Sequence, residues 1–283
     1  MQKKQILLAL SGLSLVIILF LFGKTSAPKI NKPSAETNTS VKTFDIKGFI
    51  TQEKTHLTPT QLEIVNKLEN SVTRGDVKGQ LIQANTALAN FWKDSSHTAE
   101  PYFYYLSEAA KLDKSEKNLT FAAQLILHNL RNEQDEAKLN WKTEQAIALF
   151  EKGIELYPDN DNFKVGLGSC YIFGRSRVGG PDEAMKGIQQ LLSVVRKDSN
   201  NMQAQMMLGV GGYVSGQYDK AIERLLKVVT AQPQNMEAIA FLADTYAAKG
   251  DKQEAIKWYQ VSKRLINDPH YSQEVDERIK QLR

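Results

Sequence analysis

Two stretches of this chain repeat each other at a fixed offset. Met202–Asn235 and Met236–Pro269 align without a gap, placing Leu208 on Leu242, Gly216 on Gly250, Ala221 on Ala255 and Ile222 on Ile256 at one constant separation. A period of about 34 residues, carrying two apolar-periodic segments around a Gly-Gln or Gly-Asp turn, predicts a helix–turn–helix unit. One such unit cannot bury its apolar face alone. Neighbouring units must stack, which predicts an all-α superhelical solenoid. The register extends backwards, since Gly187–Val195 lies one such period before Ala221–Val229.

Within the last unit, Ile239, Leu242, Ala243, Tyr246, Gly250, Ala255, Tyr259 and Ser262 occupy the positions that carry the pattern. The unit before it has Leu208, Gly209, Gly216, Ala221 and Pro233, and an earlier one has Leu167, Gly168 and Tyr171. This pattern resembles the tetratricopeptide repeat family. Gly212 departs from the family's usual Tyr, Leu225 from its aromatic and Asn267 from its Pro. The expected fold class is therefore an all-α, tetratricopeptide-type helix–turn–helix solenoid of about four to five repeats, with an N-terminal transmembrane helix and a C-terminal capping helix.

Residues 6–22 contain no charge and are bounded by Lys3-Lys4 and Gly23-Lys24. As a helix they span about 25 Å, the short edge of what crosses a bilayer. A retained signal anchor is preferred over a signal peptide cleaved after Ala27, because the run exceeds the usual secretory apolar core. Lysines lie on both sides of the run, so orientation rests on the short N-terminal tail staying in the cytoplasm. That places the repeats on the periplasmic side of a bacterial plasma membrane. No cysteine follows the run, which excludes a lipoprotein.

The expected organisation is an anchor at 1–23, a flexible tether at 24–56 whose Phe44, Ile46, Phe49 and Ile50 are apolar enough to dock onto the first helices, N-terminal helices with a degenerate repeat at 57–115, an extended repeat at 116–160, three repeats at 161–269 and a polar capping helix at 270–283. Thr58-Pro59-Thr60-Gln61 reads as a capping box with Pro at the first helical position. Trp92 and Tyr102–Tyr105 form an aromatic stripe at helical spacing; core packing is favoured over a carbohydrate platform. The unit from Glu116 exceeds the period by about three helical turns. Both its helices are expected to lengthen, with Asn140-Trp141 near a projecting tip. A shorter insertion separates the helices of the next unit, around Gly174–Pro181. This Gly-rich stretch with Arg175 and Arg177 reads as a surface loop, with an anion or partner contact as the alternative. It lacks the strand and Lys-Ser/Thr of a phosphate loop.

The chemistry-bearing signals are sparse. The single cysteine, Cys170, rules out an internal disulfide. The four histidines lie in no metal-ligand spacing, and no nucleophile elbow or Walker loop occurs. No cofactor or metal is expected, and no enzymatic role. The net charge of +4 is concentrated in residues 1–48, where seven lysines against Glu36 and Asp45 give +5, leaving −1 for the rest. Nucleic-acid binding is thereby disfavoured.

What the resemblance implies is binding. Arrays of this family present a concave groove, lined by the first helix of each repeat, to a peptide or partner helix. By alignment the groove here holds Val165, Ser169, Ile172 and Phe173, then Met206, Val210 and Tyr213, then Ala240, Asp244 and Ala247. The Lys and Asn of a carboxylate clamp are missing at these positions. The alternative is that part of this surface packs against the tether or the N-terminal helices. The first expectation is a membrane-tethered adaptor for a protein or peptide of the cell envelope. A chaperone-like holder of exported or unassembled envelope proteins is the alternative. An unrecognised enzyme site in the long hairpin ranks last, and homo-oligomerisation through that hairpin is a structural option.

Overall fold

The computed structural model describes residues 43–74 and 77–283. The apolar run at 6–22, most of the tether and the turn residues Gly75 and Asp76 lie outside the described residues. No helix among the described residues is long and apolar enough to cross a membrane.

Fourteen α-helices and no strand occur among the described residues. A short helix, α1 (Ile46–Glu53), leads through a 3-10 turn into α2 (Pro59–Arg74). Five antiparallel pairs follow. They are α3 (Lys78–Asp94) with α4 (Ala99–Asp113), α5 (Glu116–Leu130) with α6 (Glu136–Leu156), and α7 (Asp161–Cys170) with α9 (Pro181–Lys197), α8 (Ser176–Gly179) being a short extension of α7. The last two pairs are α10 (Met202–Val214) with α11 (Tyr218–Ala231), and α12 (Met236–Lys249) with α13 (Lys252–Ile266). α14 (Pro269–Leu282) closes the array.

The sequence period survives as geometry. α10 and α12 begin one period apart, as do α11 and α13. The buried stripe of α9 (Ile188, Leu191, Val194, Val195) recurs in α11 as Ile222, Leu225, Val228 and Val229. Each such side chain contributes roughly 1.5–3 kcal/mol when fully buried. The first helices of three successive pairs start with the same device. Asn160, Asn201 and Asn235 sit in extended or near-extended backbone and accept from Asn162 N, Ala204 N and Ala238 N at 2.9–3.0 Å. Each satisfies an otherwise orphaned helix donor, worth about 1 kcal/mol. The expected capping box at Thr58 forms, with Thr58 N donating to Gln61 Oε1 at 3.0 Å and Gln61 N to Thr58 Oγ1 at 3.3 Å. At the far end, Val275 and Ile279 of α14 bury against Ala243, Ala255 and Tyr259. Asn267, standing where the family has Pro, closes α13 at φ 47°. Proline, whose ring locks φ in the negative range, cannot adopt that conformation.

Three expectations change. The segment expected as tether through residue 56 is helical from Ile46, with Phe44, Ile46 and Ile50 docked onto the first helices as their apolar character suggested. Phe44 lies 5.5 Å from Trp141, centroid to centroid. In the long hairpin only α6 is lengthened, and the turn falls at 131–135. Asn140 and Trp141 are inside α6 rather than at a tip, and Trp141 is buried. Finally, the supposed loop at Gly174–Pro181 is helix. α7 continues through a π-helical segment, Tyr171–Arg175, into α8, and breaks only at Gly180-Pro181. Gly174 is not a loop signal. A Cβ there would overlap Thr143 Oγ1 of α6, so the residue permits a close helix crossing.

The turn between α5 and α6 is held by buried charge. Lys142 is 4% exposed and Glu100 8%. Lys142 Nζ lies 2.6 Å from Glu133 and 3.3 Å from Glu100, which also meets Lys138 at 3.2 Å. Glu133 accepts from the N–H groups of Gln134 and Asp135, both at 2.9 Å. Arg177 donates to the carbonyls of Leu130, at 2.9 Å, and Glu133, at 2.5 Å. The aromatic stripe is core as expected, with Trp92, Phe103 and Tyr105 buried.

Candidate partner-binding face

Among the last three pairs, the first helices α7, α10 and α12 pack directly on one another, whereas the second helices are held apart. The first-helix side is therefore the inner side of the curve. Of the ten residues expected to line it, five do not. Val165, Ser169, Ile172, Met206 and Val210 are at most 5% exposed. All except Ser169 belong to one core cluster with Ile188 and Leu208, and Ser169 turns its hydroxyl back to Val165 O at 2.8 Å. The tight contact between first helices consumes these positions. Phe173, Tyr213, Ala240, Asp244 and Ala247 remain partly exposed.

Phe173 fills the upper part of the inner side. It lies in the π-helical segment and packs against the core clusters of both halves of the array. The guanidinium of Arg131, from the α5–α6 turn, stands 4.3 Å above its ring. The same guanidinium pairs with Glu237, in the first turn of α12.

Below this, Tyr213 packs edge-to-face on Phe241 with centroids 6.0 Å apart, and lies 6.5 Å from Tyr218. The arrangement suits an apolar side chain from a partner. Asp244 is not a free ligand. It accepts from Tyr259 Oη at 2.5 Å and from Arg278 of α14 at 2.9 Å. Burial, then the Asp244 carboxylate, push the Tyr259 phenol up. The Tyr213 phenol is also raised, by burial first and by Asp244 second. Both tyrosines stay neutral donors at physiological pH. Glu237 and Asp244 are two helical turns apart on α12, about 10 Å along its axis. The exposed face between and beside them carries Ala240, Phe241 and Tyr213, bounded at each end by an arginine–carboxylate pair.

Arg175 and Arg177, considered above as an anion or partner contact, are engaged within the chain. Arg175 pairs with Glu144 and reaches Asn140, while Arg177 holds the two carbonyls of the α5–α6 turn. Cys170 is fully buried, and burial pushes its thiol up, away from the reactive thiolate. Phe241, Glu237 and Arg131 were absent from the expected set. Phe241 could have been found from its place beside Leu242 on an apolar first helix. Arg131 gave no signal, since its reach follows from where the lengthened α6 puts the preceding turn. A cleft of about 1130 Å³ lies between α2 and α3, walled by residues such as Asn66, Gln80 and Gln83 over Leu62 and Ala84.

The fold and face define a helical-repeat solenoid with a partly exposed aromatic inner surface. Residues 213–270, about a fifth of the chain, match the tetratricopeptide repeat family model. No curated protein matches the chain significantly. Among solved structures, MamA (residue 41 to its end) from Desulfovibrio magneticus RS-1 is similar at 20% identity, covering 68% of this chain and 97% of that one, with a TM-score of 0.47. PilW, a widely conserved type IV pilus biogenesis factor, is similar at 20% identity over 67% of this chain and 79% of its own, with a TM-score of 0.47. YrrB, a tetratricopeptide protein with an unusual peptide-binding site, is 16% identical over 74% of this chain and 97% of its own, with a TM-score of 0.45.

Proposed function

We propose that this protein is a non-catalytic scaffold that binds a protein or peptide partner on the inner face formed by Tyr213, Ala240, Phe241 and Ala247. The observation that carries this reading is the Tyr213–Phe241 pair, partly exposed on the inner side of a solenoid whose neighbouring inner positions are closed. An aromatic pair kept at a surface has the make-up of a binding hot spot. The family match over 213–270 supports the same reading. The apolar run at 6–22 supports tethering to a bacterial plasma membrane, with residues 43–283 on the periplasmic side.

In-cell cross-linking from a photoreactive residue at Tyr213, compared with one at exposed Gln189 on the second-helix side, tests both parts. The expected result is one dominant envelope protein captured from 213 and not from 189. Equal capture from both positions would count against the inner face. A cytoplasmic protein captured from 213 would count against the periplasmic placement.

A further inference from the structure

We propose that Arg131 and Glu237 form a latch that holds the inner face in a closed curvature and limits partner access to it. The consequence for the partner rests on the binding role proposed above; the latch itself does not. Helices of a solenoid touch mainly their neighbours. The Arg131–Glu237 pair instead joins residues 106 apart, linking the α5–α6 turn to the start of α12. Two further observations show that the arm is built to reach. The turn is fixed from below, by Arg177 on the carbonyls of Leu130 and Glu133 and by Lys142 on the Glu133 carboxylate. The guanidinium is also seated on the Phe173 ring at 4.3 Å, and Phe173 packs on the cores of both halves.

The arm is therefore rigid while its terminal bond is weak. The side chains of Arg131 and Glu237 are 35% and 41% exposed. An ion pair so exposed is readily screened by salt and exchanged for water. The end beyond Glu237 carries no comparable arm: Arg278, which holds Asp244, comes from α14, the helix packed next to α13. Breaking the first pair unties α12 and the Tyr213–Phe241 surface from the α5–α6 turn, while Ala238, Ile239 and Leu242 keep α12 in the core it shares with Val165 and Ile172, so that the curve opens without either core coming apart.

The test uses the full chain. Cysteines placed at Asn132 and Met236 are spin-labelled; Cys170 is fully buried and stays unlabelled. Distance distributions are then compared in the parent, in Arg131→Glu, in Glu237→Arg and in the double exchange. A single narrow distance is expected in the parent, a longer and broader one in each single variant, and recovery of the narrow one in the exchange. Raising salt to about 1 M, where the screening length falls to about 3 Å, should broaden the distribution of the parent by weakening the pair. Identical distributions in all four proteins would overturn the latch. With the captured partner in hand, each single variant should bind up to about five-fold more tightly. Distances that open with unchanged affinity would overturn the regulatory role while the geometry stood.

Discussion

Lys142→Met is expected to lower the unfolding free energy by about 3–5 kcal/mol, because it strips the central cation from a buried network and leaves the Glu133 carboxylate without the ammonium beside it. Lys142 is the ammonium shared by Glu133 and Glu100, and Lys138 alone remains near Glu100. The effect depends on pH. Burial, the largest influence on Glu133, opposes its ionisation, but the Lys142 ammonium and the N–H groups of Asp135 and Gln134 outweigh it and hold the carboxyl below the 4.5 of an unperturbed glutamate. A carboxyl depressed in the folded state contributes stability that is present above its unfolded pKa and lost as pH falls through its folded one. Denaturant titrations of parent and variant should therefore differ most near pH 7 and converge as the pH falls below 4.5 and the Glu133 carboxyl takes up its proton. A penalty that is the same at both pH values would show that packing around Lys142, not its charge, is what the variant removes. Since Glu133 also anchors the α5–α6 turn, this variant should loosen the arm that carries Arg131.

Gly187→Ala is expected to cost about 1–3 kcal/mol despite adding a single methyl group. A Cβ at 187 would stand 2.5 Å from the backbone oxygen of Gly168 and 2.8 Å from Tyr171 Cβ. A backbone carbonyl inside α7 cannot step aside as a flexible side chain would, so α9 must move away from α7. Gly79→Ala provides the control. Nothing lies within 4 Å of the new methyl there, and the substitution should stabilise α3 by about 0.5–1 kcal/mol through helix propensity. Urea midpoints that shift by equal amounts in the same direction would refute the close-crossing explanation.

The repeat register, the capping box at Thr58 and the closing helix were legible because each depends on local spacing or capping chemistry. The period fixes which residues bury, and Asn201 and Asn235 recur as caps one period apart. What was not legible turns on tertiary contact. Glycines at 174, 179 and 180 read locally as a loop, yet Gly174 lets a π-helical segment cross α6 closely and the chain stays helical to Gly179. Trp141 read as a tip because nothing in its own helix shows that Phe44 covers it. Five of the expected groove positions are buried for a related reason. Alignment identifies which residues face the neighbouring first helix, but how closely those helices approach decides whether Met206 and Val210 line a surface or a core. A Met206→Asp variant thus tests folding rather than binding, since it would place a carboxylate in the cluster around Val165 and Leu208.

The binding role itself is tested most directly by the affinity of the captured partner for the parent and for Tyr213→Asp, measured by calorimetry on full-length protein in detergent. Tyr213 is only partly buried, so the variant should keep the parent's helical content and a similar melting temperature. Binding should weaken at least about ten-fold, the loss expected of an aromatic anchor. Unchanged affinity in a folded Tyr213→Asp protein would contradict it, and the partner would have to bind elsewhere on the solenoid.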